Sequence, residues 1–345
     1  MRLRHLRLPH RAPLLHPPYS LASRIQEHLR RRQLDFKDAA SANAANTNIN
    51  TSPSAPLKPP LPPAPTLLSF SPLPTYTLGR RQTAPITVPE AARLQAPLRV
   101  TSSPGPGLDV LLPVALVHSP RGGLTTYHGP GQAVLWPVLD LRSPHHRQFT
   151  VRCYSRLLED TTIETLWRLF GLKAFTTDDP GVWVRSRHAT STAMGGGDGD
   201  GTPQTAAAAA AKIAALGVHL RRHVSALGTA LNVAMPGADV TDEVANPWAR
   251  ITACGLEGKT VTSVAGELLP SFRASLPGGG RGLLQEEVIA AAWAEELARR
   301  MGVEGVETVS AGEVVALVTE VMARAEDVTS EERAYVEKIQ RGWIR

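Results

Sequence analysis

Two stretches of this 345-residue chain are too poor in large apolar side chains to bury a core, so any fold must be assembled from the segments around them. Residues 39–65 pass through Ala, Asn, Ser and Thr into LKPPLPPAP and read as a disordered insertion with a polyproline end. Residues 186–210, rich in Gly, Asp, Ser and Thr and running into six alanines, read as a second low-complexity insertion. The chain then divides into residues 1–38 with a first strand and helix, the 39–65 insertion, a main domain over 66–309 interrupted at 186–210, and a helical extension over 310–345.

Between the insertions the pattern alternates short strands with helices. TLLSFSPLPTYTLGRR from Thr66, LDVLLPVALVHSP from Leu108 and AVLWPVLDL from Ala133 are short, apolar and broken by Pro or Gly, as strands are. Val151, Tyr154, Leu158, Ile163, Leu166 and Leu169 recur at helical spacing, and Gly171 stands where a helix stops. Cys153 falls on that helix and reads as packing. QEEVIAAAWAEELARRMG puts Ile289, Trp293 and Leu297 on one face, with Gly302 as a C-cap. Ser310 with Glu313, and Thr329 with Glu332, have capping-box spacing and predict two further helices. This mixture predicts an α/β (α+β) domain, with strand order left open.

Composition removes several classes of function. Two cysteines, Cys153 and Cys254, cannot build a disulfide framework and point to a reducing compartment. No apolar run has the length of a membrane span. The net charge of +6 suits acidic partners, but zinc spacings, aromatic RNA-binding signatures and basic zipper helices are all missing, so nucleic acid is not expected. Eight Arg and one acid, Glu27, occupy the first 34 positions, the composition of a mitochondrial presequence. Leu3, Leu6 and Leu8 equally suit a first strand, and residues 19–34 a first helix.

Three segments carry chemistry. RGGLTTYHGPGQ, residues 121–132, packs four glycines around Arg121, Tyr127 and His128, which lets backbone approach a ligand closely. Alone, it is more simply two tight turns around a short strand, and it matches neither a P-loop nor a dinucleotide fingerprint. Cys254, in RITACGLEGKTVTSV, follows a strand end and precedes Gly255, so its thiol can be exposed beside a backbone N–H able to receive charge from an attacked carbonyl. Lys212 opens KIAALGV; near a thiol, an ammonium favours the thiolate and lowers its pKa from about 8.5. Neither residue on its own distinguishes a site from a structural thiol or a solvated lysine.

Taken in order, RGGLTTYHGPGQ at 121, KIAALGV at 212 and ACGL at 253 resemble the lipoyl(octanoyl) transferases, with TYTLGRR at 75 and GVWV at 181 as further landmarks. The resemblance spans residues 3–34 and 66–309. It implies the fold shared by biotin and lipoate protein ligases, a mixed sheet with flanking helices. It implies that Cys254 and Lys212 are the catalytic pair. It also implies substrate contacts from Arg121, Gly122, Gly123, Leu124, Thr125, Thr126, Tyr127 and His128, from Ala215, Leu216 and Gly217, and from Gly228, Thr229 and Ala230. The implied donor is octanoyl-acyl carrier protein, and the acceptors are lipoyl domains of 2-oxoacid dehydrogenase complexes and the glycine cleavage H protein. No metal, ATP or other cofactor is implied, because a thioester is already activated. Together with the insertions and the basic start, the resemblance implies a mitochondrial location.

The chain departs from the pattern at Leu227, where many members carry His, and at Ala253, where Pro is common. MPGADVTDEVANPW, 235–248, lengthens the connection between Lys212 and Cys254. An ATP-dependent lipoate or biotin ligase of the same fold is a rival reading, but such an enzyme proceeds through an acyl-adenylate and has no need of a thiol. A non-catalytic carrier-protein binding module is the other, favoured only by Leu227.

Overall fold

The structure is a computed structural model that describes residues 1–11, 14–46, 61–101, 109–186, 210–237, 240–251, 260–268 and 282–342. From the start of the chain its elements are β1 (Leu3–Arg7), α1 (Tyr19–Asn46), β2 (Thr66–Phe70), β3 (Thr75–Leu78), α2 (Val88–Gln95), β4 (Leu98–Thr101), β5 (Asp109–Leu112), β6 (Ala115–His118), β7 (Thr126–His128) and β8 (Gln132–Val138). They continue with α3 (Val151–Phe170), β9 (Ala174–Phe175), β10 (Val182–Arg185), β11 (Ala210–Arg221), β12 (Val224–Asn232), a 3-10 turn (Pro247–Arg250), β13 (Thr260–Val261), α4 (Val264–Glu267), α5 (Glu286–Met301), β14 (Val306–Thr308), α6 (Ala311–Ala323) and α7 (Ser330–Gln340).

One mixed sheet dominates, ordered β14-β1-β2-β8-β12-β11-β10-β9 with β13 also on β11. The pairs β1–β14, β1–β2 and β11–β13 are parallel and the others antiparallel. The N-terminal leucines are therefore an interior strand of the sheet. Helices cover both faces, which is why β2 and β8 are buried along their whole length rather than at alternate residues. On one face Leu68, Phe70, Val134 and Trp136 pack with Leu21 and Ile25 of α1 and with residues of α6 and α7. On the other, Leu67 and Leu135 pack with Tyr154 and Leu158 of α3 and Trp293 and Leu297 of α5. A three-stranded sheet, β6-β3-β7, and a ribbon, β4-β5, complete the architecture.

Local signals account for the element ends. Gly171 and Gly302 close α3 and α5 in the left-handed region, with φ of 63° and 75°. Both capping boxes form, Ser310 with Glu313 and Thr329 with Glu332. Two expectations need correction. α1 does not stop near Leu34 but continues to Asn46: its added turns contain good helix formers, and Lys37 reaches Asp140 Oδ2 at 2.8 Å while Asp38 pairs with Arg222. Cys153 is exposed rather than packed, because it sits in the first turn of α3, its N–H donating to the Thr150 cap at 3.1 Å. Among the described residues no helix is long and apolar enough to cross a membrane.

Candidate active site

The 121–132 segment leaves β6, forms a loop, becomes β7 and turns into β8. Arg121 is the post around which it is built. Its guanidinium donates to Thr77 O (2.6 Å) and Thr77 Oγ1 (2.8 Å) on β3 and to Gly122 O (3.0 Å) and Leu124 O (2.8 Å) of its own loop. Its aliphatic stem lies against β11: a Cβ on Gly217 would stand 3.1 Å from Arg121 Cδ, so glycine lets the strand and the post meet. Gly228 solves a similar problem one strand over, where a Cβ would come within 2.3 Å of Leu135 O on β8.

These approaches leave a cleft between the motif, the β11–β12 hairpin and α1, with about 380 Å³ of empty space including its open mouth. Arg121, Thr126 and His128 line it together with Ala215, Leu216 and Gly217 of β11 and Gly228, Thr229 and Ala230 of β12. The motif and a hairpin about ninety residues further along the chain thus share one cavity. Gly122, Gly123, Leu124 and Thr125 lie on the loop beside it, and Tyr127 turns away to pack with Tyr76 and Trp248. Leu227, the departure from the family pattern, also lines the cleft, as do Tyr19 and Trp136, which escaped the sequence reading. Leu227 adopts φ 62°, a left-handed backbone rare for a branched residue inside a strand.

His128 is the polar centre of the cleft wall. Its ring stacks on Tyr19, centroids 5.3 Å apart, and burial lowers its pKa to about 4, so the imidazole is neutral. Its tautomer follows from a chain of contacts that ends on a backbone carbonyl. Thr262 O can only accept, so Asn232 Nδ2 donates to it at 2.9 Å. Asn232 Oδ1 then accepts from Gln132 Nε2 at 2.9 Å, and Gln132 Oε1 accepts from His128 Nδ1–H at 2.8 Å. The imidazole Nε2 is left as an acceptor. Gln132, Asn232 and Thr262 are all buried; Gln132 closes the motif in the sequence, whereas nothing local marks Asn232 or Thr262.

The chain of contacts leads from the cleft to Lys212. Lys212 lies on β11 three residues before Ala215, between Trp183 of β10 and Val261 of β13. It is 6% exposed, donates from Nζ to Pro180 O at 3.0 Å and stands 4.7 Å over the Trp183 ring. Thr262 N donates to Lys212 O at 3.0 Å, so the relay from His128 and the lysine's own backbone meet at one residue. Lys212 is not among the residues lining the cleft. Cys254 and Ala253 lie outside the described residues, as does most of the 186–210 stretch. Both flanks of the cysteine segment are anchored. Upstream, buried Arg250 donates to Glu243 O, Leu94 O and Pro97 O at 2.8, 3.2 and 3.0 Å. Downstream, Thr260 and Val261 pair with Ala211 and Lys212.

Comparison with known proteins places the chain in a family. Residues 60–274 match the lipoyl protein ligase A/B catalytic domain. "Octanoyltransferase, mitochondrial" of Saccharomyces cerevisiae is 27% identical over 253 residues, 67% of this chain and 66% of that protein. "Probable octanoyltransferase" of Schizosaccharomyces pombe is 34% identical over 204 residues, 59% of this chain and 68% of that protein. The "Octanoyltransferase" of Rickettsia africae is 34% identical over 152 residues, 44% of this chain and 59% of that protein. The chain thus spans about two thirds of the length of the two yeast relatives and less of the rickettsial one. The chain belongs to the lipoyl protein ligase A/B catalytic-domain family, among its octanoyltransferases.

Proposed function

We propose that the protein transfers an octanoyl group from octanoyl-acyl carrier protein to the target lysine of lipoyl domains through a thioester on Cys254. The Cys254 thiolate attacks the octanoyl thioester carbonyl, and the pantetheine thiolate leaves, taking its proton from the Lys212 ammonium. The acceptor lysine then attacks the octanoyl-enzyme, Lys212 takes the proton its amine loses, and the Cys254 thiolate departs. The cleft holds the acyl chain between Trp136, Leu227 and the glycine-lined strands, and neutral His128 adds one acceptor to an otherwise largely apolar wall. The reading extends to lipoyl domains of 2-oxoacid dehydrogenases and the glycine cleavage H protein as acceptors, and to a mitochondrial location, supported by the name of the Saccharomyces cerevisiae relative.

One observation supports this above the others. Motif segments far apart in sequence converge on a single cleft, and the strand six residues beyond Cys254 is paired with Lys212. Incubation with octanoyl-acyl carrier protein without ATP tests it by intact mass. One octanoyl adduct is expected on the native chain, none on Cys254→Ala, and an acylation rate about 10²–10⁴-fold lower for Lys212→Met. An adduct that survives Cys254→Ala, or one that forms only with ATP and free octanoate, overturns the mechanism.

A further inference from the structure

Leu227 stands in the cleft only because β12 breaks its own alternation there. Residues directly opposite one another in an antiparallel pair send their side chains to the same face of the sheet. Leu227 is paired with Val218 of β11, yet Val218 packs on the α3–α5 side of the sheet and Leu227 on the α1 side. Farther along β12 the pattern is regular: Ala230 lies opposite Val134, and both face α1. The difference is the backbone at Leu227, whose φ of 62° swings its side chain to the other face. A left-handed conformation is costly for any residue with a Cβ, and such strain persists where the surroundings enforce it, often around a ligand site. Here it delivers a buried leucine to the cleft wall.

Its place is the end of the cleft remote from Lys212. Ala215 is the first cleft residue on β11 after Lys212, and from there to Val218, the partner of Leu227, the strand runs ~10 Å. Beyond Leu227 the α1 side of the hairpin is closed. Arg30 of α1 puts Nη1 3.3 Å from Nδ1 of His219, which lies opposite Ala226. Further along α1, Lys37 reaches Asp140, which bridges to Val224 at the hairpin end of β12. The side walls are stiff aromatic rings: Tyr19 meets Trp136 edge to face, centroids 5.2 Å apart, and stacks on His128. Leu227 is the aliphatic side chain at the closed end.

We propose that Leu227 limits the length of the acyl chain, receiving the methyl end of an octanoyl group and excluding the longer decanoyl group. This rests on the transfer reading above for the direction of the chain, with its thioester end toward Lys212 and its methyl end on Leu227. Leu227→Ala keeps a Cβ on the left-handed backbone and opens room for about two methylenes, whereas Leu227→Phe takes room away. Two ratios are measured on each protein, so that any loss of folded material cancels. One is the Kd of decanoate against octanoate, from calorimetry with the free acids alone. The other is the acylation rate from decanoyl- against octanoyl-acyl carrier protein, by intact mass. Leu227→Ala should shift both toward decanoyl by about tenfold or more, and Leu227→Phe should shift the rate from octanoyl toward hexanoyl donor. Val218→Ala, opposite Leu227 but on the other face, should move neither ratio by more than about twofold. Ratios that stay within about twofold of the native chain in both Leu227 variants, or an equal shift in Val218→Ala, overturn the proposal. A shifted binding ratio in Leu227→Ala with no acylation from either carrier protein upholds the length limit and refutes the transfer. Binding of neither acid together with acylation by neither carrier protein overturns both.

Discussion

The relay from His128 to Thr262 makes a prediction that separate hydrogen bonds would not. In Gln132→Leu, His128 Nδ1–H and Asn232 Oδ1 lose their partners; in Asn232→Leu, Thr262 O loses its partner and Gln132 Nε2 keeps only a long 3.5 Å contact with Tyr127 O. All lie in the buried interior, where each orphaned group costs about 1–3 kcal/mol, so either variant should lose roughly 2–6 kcal/mol. In the double variant the Gln132–Asn232 contact is gone from both sides, and only His128 Nδ1–H and Thr262 O remain orphaned. Its loss should again be roughly 2–6 kcal/mol, whereas independent contacts would sum to about 4–12 kcal/mol. Urea unfolding of the four proteins at pH 7.5 completes the cycle. A double-variant loss equal to the sum of the single losses within about 0.5 kcal/mol refutes the relay, and with it the assignment of His128 Nε2 as an acceptor.

Further outcomes follow from single positions. His5, His16 and His128 are buried, each with its pKa lowered to about 4 chiefly by desolvation; below pH 6.5 the unfolded chain binds their protons and the fold does not. Stability is therefore retained above pH 6.5 and lost as pH falls, by on the order of 3 kcal/mol per histidine at pH 4, and urea midpoints that stay level from pH 7 to 4.5 would contradict this. Gly228→Ala drives a methyl to 2.3 Å from Leu135 O and should cost about 3 kcal/mol by forcing β12 off β8; an unchanged Tm would place the two strands further apart than described. The β11–β12 turn holds Arg222 and His223 at φ 50° and 68°. His223→Gly should relieve about 1 kcal/mol of left-handed strain and raise Tm by ~2 °C in a scanning calorimeter, with a fall counting against that turn.

Much of the local structure was legible in the chain. Capping boxes, C-cap glycines and the helical periodicity of residues 151–170 and 286–301 were all marked, because each depends on backbone groups satisfied within one or two turns. α2 was missed, although Thr87 and Glu90 carry its cap. The extent of α1 was misjudged in part because Lys37 and Asp38, past the expected end, pair with Asp140 and Arg222, far along the chain. In the candidate site, His128, Gly217 and Gly228 were marked by motif, while Tyr19, Trp136, Asn232 and Thr262 reach it from elements whose own patterns speak only of packing.

The sequence by itself determined the family, the ordered set of motif residues and the alternation of short strands with helices, since these are properties of residue identity and short-range spacing. Tertiary structure alone decided that the first strand lies inside the sheet between β2 and a strand three hundred residues later. It also decided that Arg121 serves as an internal post and that one buried relay joins the cleft wall to the strand beside Lys212. His10 meets Glu287 in the first turn of α5 for the same reason. Each is a contact between segments remote in sequence, where the energy lies in desolvated, mutually satisfied groups whose pairing no local pattern encodes.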